Sequence, residues 1–194
     1  MLAEPYNENN LLELVVEAAQ REKELVRQAQ QGDHAGFRQL FETNVNRIYA
    51  FCLRMAANAQ LTEEITQDVF VKAWENLHKF RGESKFTTWL HSIAVNEFLT
   101  QKRSEKRFMQ RFVQTDDVLK YDKKSEGPEY HFNTNIDLEN AIGMLPKQAK
   151  AVLILHDIEG YQHKEIAEMI NIEIGTSKAH LHRARKILRE ELSK

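Results

Sequence analysis

The chain holds one cysteine, three prolines and seven glycines in 194 residues. A lone cysteine, Cys52, excludes an internal disulfide and any cysteine-built zinc site, and it fits a reducing compartment. So little proline and glycine leaves few turns for a many-stranded sheet, whereas Leu, Ala, Glu, Lys, Gln and Arg are abundant, so the expected fold class is all-α. No apolar run approaches the roughly 18 residues of a membrane helix, and the first residues carry Glu4 with no early cationic stretch. The expectation is a cytoplasmic protein without signal peptide or membrane insertion. Also missing are a Gly-rich phosphate loop, a His-Glu-x-x-His pair and a Ser or Cys nucleophile motif. The eight histidines are scattered except for His180 and His182, whose i, i+2 spacing points them apart on a helix. No catalytic residue, metal ligand or cofactor is expected, and no enzyme.

What is present describes a folding, water-soluble chain, 42% apolar and 29% charged. Its net charge of −2 conceals an asymmetry: residues 1–34 hold 3 basic and 7 acidic side chains, 35–107 hold 11 and 8, 108–135 hold 4 and 5, and 136–194 hold 9 and 9. Within the last segment, Lys178, Arg183, Arg185, Lys186 and Arg189 follow one another with no acid between Ile174 and Arg189, joined by His180 and His182.

Apolar periodicity places the helices. Residues 11–30 repeat Leu11, Leu14, Val15, Ala18, Ala19, Leu25 and Val26, and Gln30-Gln31-Gly32-Asp33-His34 reads as a stop and a new start with Asp33 as N-cap. From Ala35 to about Ala57 a broad stripe including Phe37, Leu40, Ile48, Phe51, Cys52 and Met55 predicts a buried helix, with Cys52 in the core. Thr62 is the expected cap of a third helix running to about Leu77, with Ile65, Val69, Phe70, Ala73, Trp74 and Leu77 inward. After the loop Phe80–Phe86 a fourth helix spans about Thr87–Lys106, with Trp89, Leu90, Ile93, Ala94, Phe98 and Leu99 inward. Loop residue Phe80, beside Arg81 and Lys85, is the aromatic expected to be exposed, a pairing that suits unstacked single-stranded bases.

Residues 113–135 lack periodicity and contain Gly127-Pro128 amid charges and amides, which reads as a linker. Beyond it come Ile136–Leu145, a helix opened by Pro146 and running to about Ile158, a stop at Gly160, Tyr161–Ile170, a break at Asn171–Ile174 and a last helix to about Leu192. Two short helices about four residues apart, the second carrying the basic face, have the shape of a helix-turn-helix whose second helix enters the major groove of DNA.

With these elements in place, the chain resembles an extracytoplasmic-function (ECF) sigma factor over about residues 25–192. The resemblance rests on Asp68-Val69-Phe70-Val71-Lys72-Ala73-Trp74, on Phe80 to Leu90, on Ile93-Ala94-Val95-Asn96, and on Glu165-Ile166-Ala167-Glu168 with Gly175-Thr176 and Leu181-His182-Arg183-Ala184-Arg185. It implies a division into an N-terminal helical extension (1–24), a sigma region 2 domain (25–112), a linker (113–135) and a region 4 helix-turn-helix domain (136–194). It implies core RNA polymerase as partner, met at the β′ clamp helices through Asp68, Val69, Phe70, Lys72, Ala73 and Trp74, and at the β flap. It further implies −10 promoter DNA at Lys72, Asn76, Phe80, Arg81, Lys85 and Asn96, and −35 duplex at Thr176, Lys178, Ala179, His180, His182, Arg183 and Arg185. An anti-sigma factor is a further implied partner.

Three departures bear on DNA reading. Ser92 stands where the family often has Arg, Ala179 and His180 stand where it often has Ser and Arg, and Glu173 stands where a small capping residue is common. The acidic N-terminal segment is expected to be an added helix that packs on the first domain or touches a regulator. The rival reading is a stand-alone helix-turn-helix regulator that binds DNA without polymerase.

Overall fold

The computed structural model describes residues 8–112 and 135–193, with side-chain surroundings for 13–100 and 138–193; the expected linker, apart from Asn135, lies outside the described residues. Helix α1 (Glu8–Gln30) runs unbroken through residue 24, where the sequence reading separated extension from domain. Residues 13–20 of it are exposed, and its second half packs through Val26 and Ala29. Asp33 caps α2 (His34–Ala56), accepting the Ala35 N–H at 2.8 Å, as expected. Gly36 lets the two helices close on each other: a Cβ there would stand 3.1 Å from Gln28 Cβ and 3.2 Å from the Leu25 carbonyl oxygen.

The next start differs from expectation. Ala57 takes the left-handed conformation (φ 51°) and stops α2 abruptly, so α3 (Ala59–Asn76) begins early, capped by Asn58, which accepts the Leu61 N–H at 2.9 Å. Thr62, the expected cap, is instead buried in the first turn and donates its hydroxyl to the Asn58 carbonyl. A 3₁₀ turn (Leu77–Lys79) and a loop lead to α4 (Phe86–Phe112). Helices α2, α3 and α4 enclose a core of Ile48, Phe51, Met55, Ile65, Val69 and Leu90, all fully buried, each contributing about 1.5–3 kcal/mol by burial. Cys52 is fully buried among them and burial pushes its thiol up to about 11, so it is a packing residue.

The second half comprises α5 (Asn135–Met144), α6 (Lys147–Leu153), α7 (His163–Ile170) and α8 (Ile174–Leu192) around Leu145, Ile154, Leu155, Ile166, Leu181 and Ala184. Where periodicity predicted one helix to Ile158, α6 widens into a π turn over Ile154–Ile158, and Gly160 (φ +79°) lets the chain reverse after it. The break before α8 is Asn171–Glu173, one residue shorter than expected. Among the described residues there is no strand, which agrees with the all-α expectation. The halves touch: α4 packs against both α6 and α7.

Candidate nucleic-acid interface

Helix α8 is seated by its small and apolar side. Leu181 and Ala184 are buried against α6 and α7, and buried Ser177 places its hydroxyl 3.0 Å from Nδ1 of His163 at the start of α7. The turn between α7 and α8 is closed by the Ile172 N–H, which donates to the Ala167 carbonyl at 3.0 Å. His163 stacks on His156 with ring centroids 4.4 Å apart, and burial, with the nearby His156, holds its pKa below the ordinary imidazole value. On the opposite side Thr176, Lys178, Ala179, His182 and Arg183 are exposed and His180 is half-buried. Lys178 and Arg183 make no ion pair among the described residues, so their charge faces water.

Arg185, grouped by sequence with the DNA-facing residues, is exposed but paired within the chain. Its Nη2 and Nε donate to Asp157 Oδ1 at 2.6 Å and Oδ2 at 3.1 Å, a bidentate pair that pins α8 to the end of the π turn and raises the guanidinium pKa further. Twenty-eight residues separate the two partners, a pairing no local pattern reveals. Glu173 makes no side-chain cap to α8, as its type predicts.

The second cluster lies where α3, the 3₁₀ turn and α4 meet. Phe80 corrects the sequence reading: it is only 9% exposed, its ring packed 5.7 Å from Phe86 and 5.1 Å from Trp89. A loop side chain has no periodicity to declare its direction, and here an aromatic cluster takes it inward. Arg81 and Lys85 are exposed on the loop, as is Asn96 on α4. Lys72 reaches from α3 to Glu97 on α4 at 2.5 Å. The Asn76 amide is used at both ends, donating to the Lys72 carbonyl (2.9 Å) and accepting from Lys79 Nζ (2.7 Å). Sequence reading missed the residues that fasten this loop. From α1, Gln30 Nε2 donates to the carbonyls of Leu77 (3.0 Å) and Phe80 (2.8 Å), and Glu22 accepts the Phe86 N–H (3.0 Å) at the start of α4. Of these two, only Glu22 belongs to the acidic segment expected to pack on the first domain or touch a regulator, and residues 13–20 of that segment are exposed.

The face of α3 is mixed. Asp68 and Lys72 are exposed, whereas Val69, Phe70 and Ala73 are core, as the 3–4 repeat predicts, which corrects the direct polymerase contact that the resemblance implied for them. Trp74 is half-buried between the rings of His34 and Phe37, each 4.9 Å away. Val71, 55% exposed and passed over in the sequence, completes the outward surface. Among the described residues no group of three His, Cys, Asp or Glu is arranged to hold a metal, and no helix is long and apolar enough to cross a membrane.

Comparison with known proteins gives the family of the chain. Residues 40–108 match the family model "Sigma-70 region 2" and residues 136–188 match "Sigma-70, region 4". The chain is 30% identical to the ECF RNA polymerase sigma factor SigW of Bacillus subtilis, over 88% of this chain and 96% of that protein. It is 29% identical to the ECF RNA polymerase sigma-E factor of Haemophilus influenzae, over 87% and 93%. Among solved structures it resembles the sigma factor RpoE of Bartonella quintana, crystallised in complex with the anti-sigma factor NepR, with a TM-score of 0.65, 27% identity, and coverage of 81% of this chain and 96% of that one. A helix with a basic stretch free of acids from Ile174 to Arg189 in a region 4 fold, a region 2 bundle before it and relatives spanning both halves lead to one assignment: the chain belongs to the ECF sigma factors, alternative sigma factors of RNA polymerase.

Proposed function

We propose that the two halves divide promoter recognition as the ECF resemblance implies, region 2 (25–112) anchoring on core RNA polymerase and opening the −10 element, region 4 (136–194) gripping −35 duplex. The observation that carries this is the exposed face of α8, where Lys178 and Arg183 stand without an ion pair among the described residues beside Thr176, Ala179, His180 and His182. In the major groove such side chains contact phosphates and base edges. Arg185 serves this face indirectly, by fixing the helix through Asp157. With Ala179 and His180 in place of residues that hydrogen-bond or carry fixed charge, −35 preference depends more on Lys178 and Arg183.

On region 2 the polymerase surface consists of Asp68, Val71, Lys72 and the outer edge of Trp74, with Val69, Phe70 and Ala73 supporting it from beneath. The −10 strand is met by Arg81 and Lys85 on the loop, Lys72 and Asn76 on α3, and Asn96 on α4, while Phe80 shapes the loop from inside. Flipping a base costs a few kcal/mol, which contacts of this kind supply without ATP. The solved relative bound to an anti-sigma factor supports a partner of that class for this chain.

Co-elution with purified bacterial core polymerase tests the reading. Asp68→Ala, which removes one exposed carboxylate and no packing, is expected to weaken the complex while leaving helicity unchanged. A chain that binds promoter duplex tightly by itself and ignores core polymerase would replace this reading with the stand-alone regulator.

A further inference from the structure

The middle of the outward face of α8 is held by an apolar residue between charged ones. At about 100° per residue, Ala179 stands about 160° around the helix from buried Ser177 and Leu181 and about 140° from buried Ala184. Lys178 and Arg183 flank it, and His182 is exposed on the same face. One turn earlier, a Cβ on Gly175 would meet nothing within 4 Å, so glycine there serves no internal packing and leaves the backbone bare on the outward side. Ile174, the other exposed apolar residue at this end, lies only about 60° from Ser177 and so on the flank.

Lys178, His182 and Arg183 are long enough to reach phosphates or base edges from the flanks, while the short ridge between them lets the helix backbone come near the floor of a major groove. There Ala179 brings a methyl group with neither donor nor acceptor. Guanine, cytosine and adenine present only donors and acceptors in that groove, and under the methyl each would lose a water partner without gaining another. Thymine alone presents an apolar group, its C5-methyl. The serine that the family often carries at this position can donate or accept, so it holds no such preference.

We infer that Ala179 is a specificity-determining residue of the −35 contact and that the base it meets is thymine, recognised through the C5-methyl group. The inference rests on the proposed role of α8 in gripping −35 duplex and adds the identity of the base at one position. Lys178 and Arg183 supply the hold on the duplex, and the methyl–methyl contact between them fixes which base pair lies under the centre of the helix.

The full chain, assembled with bacterial core polymerase, is used to select promoter duplexes randomised at −35, and each selected thymine is then replaced by uracil, which lacks only the C5-methyl. For the wild type one thymine is expected to matter: uracil in its place should weaken binding about fourfold, the worth of one buried methyl-sized group. In Ala179→Gly the same replacement should change binding by less than about twofold. Lys178→Ala should bind every duplex more weakly and keep the uracil effect. Should Ala179→Gly lose helicity, Ala179→Ser, an exposed change that costs no packing, carries the test, and thymine should lose its advantage over the other bases. Selected sequences without thymine, thymines all replaceable by uracil without loss, or a uracil penalty that persists in full in both Ala179 variants overturns the inference and leaves −35 recognition by α8 standing. A chain that does not bind core, or an assembled polymerase that selects no sequence at −35, overturns the division of promoter recognition and the inference with it.

Discussion

Gln30 offers a sharp test of how α1 supports the −10 loop. Its amide donates to two carbonyls, Leu77 at 3.0 Å and Phe80 at 2.8 Å, in residues that are 2% and 9% exposed. Each intramolecular hydrogen bond has a net worth of about 1 kcal/mol, and a sheltered carbonyl left unpaired costs about 1–3 kcal/mol. Gln30 itself is exposed, so deleting its aliphatic part loses little packing, and water can reach one side of the freed carbonyls. Gln30→Ala should therefore destabilise the chain by about 2 kcal/mol, and Gln30→Met, which keeps the length without the donor, by nearly as much. For a protein of this size that is a fall of about 4–8 °C in melting temperature. Urea titration followed by helicity should show a lower midpoint at unchanged slope, because the surface exposed on unfolding is the same. Permanganate reactivity of unpaired thymines in a polymerase–promoter complex should fall as well, because Arg81 and Lys85 are carried by the loop that these bonds hold. A loss below about 0.5 kcal/mol in Gln30→Met, within the scatter of ordinary surface changes, would refute the assignment of a holding role to this amide.

Other outcomes follow from the remaining contacts. Lys178→Ala should weaken DNA binding across sequences and lower the salt slope by about 1, whereas Arg185→Ala should leave the slope unchanged and lower the melting temperature slightly through loss of the Asp157 pair, both measured by fluorescence anisotropy and thermal melts. His91 is held down to about 4 chiefly by burial, with Arg47 and Arg54 adding to the effect and Glu159 and Tyr161 lying across the seam. Because the buried form is neutral, its contribution is complete above about pH 6.5 and diminishes as pH falls toward 4, by up to about 1.4 kcal/mol per pH unit. Wild type should thus lose stability between pH 6.5 and 5 more steeply than His91→Gln in parallel melts, and parallel curves would deny His91 that role.

Much of this protein is written in local pattern. The 3–4 spacing of Ile65, Val69, Ala73 and Leu77, the cap at Asp33, Pro146 at the head of α6 and the acid-free stretch from Ile174 to Arg189 specify helices and a basic face because helix geometry and charge are properties of neighbours in the chain. Tertiary packing decided what neighbours cannot. It turned Phe80 inward, since a loop side chain follows whichever apolar surface is in reach, here Phe86 and Trp89. It moved the α3 cap from Thr62 to Asn58, two residues of similar local preference, once Ala57 ended α2. It paired exposed Arg185 with Asp157, and it brought Glu159 to Arg54 across 105 residues of sequence. Such pairings depend on where whole helices come to rest, and so the chemistry of α8 was legible in the sequence while the fastening of both halves was settled by their packing.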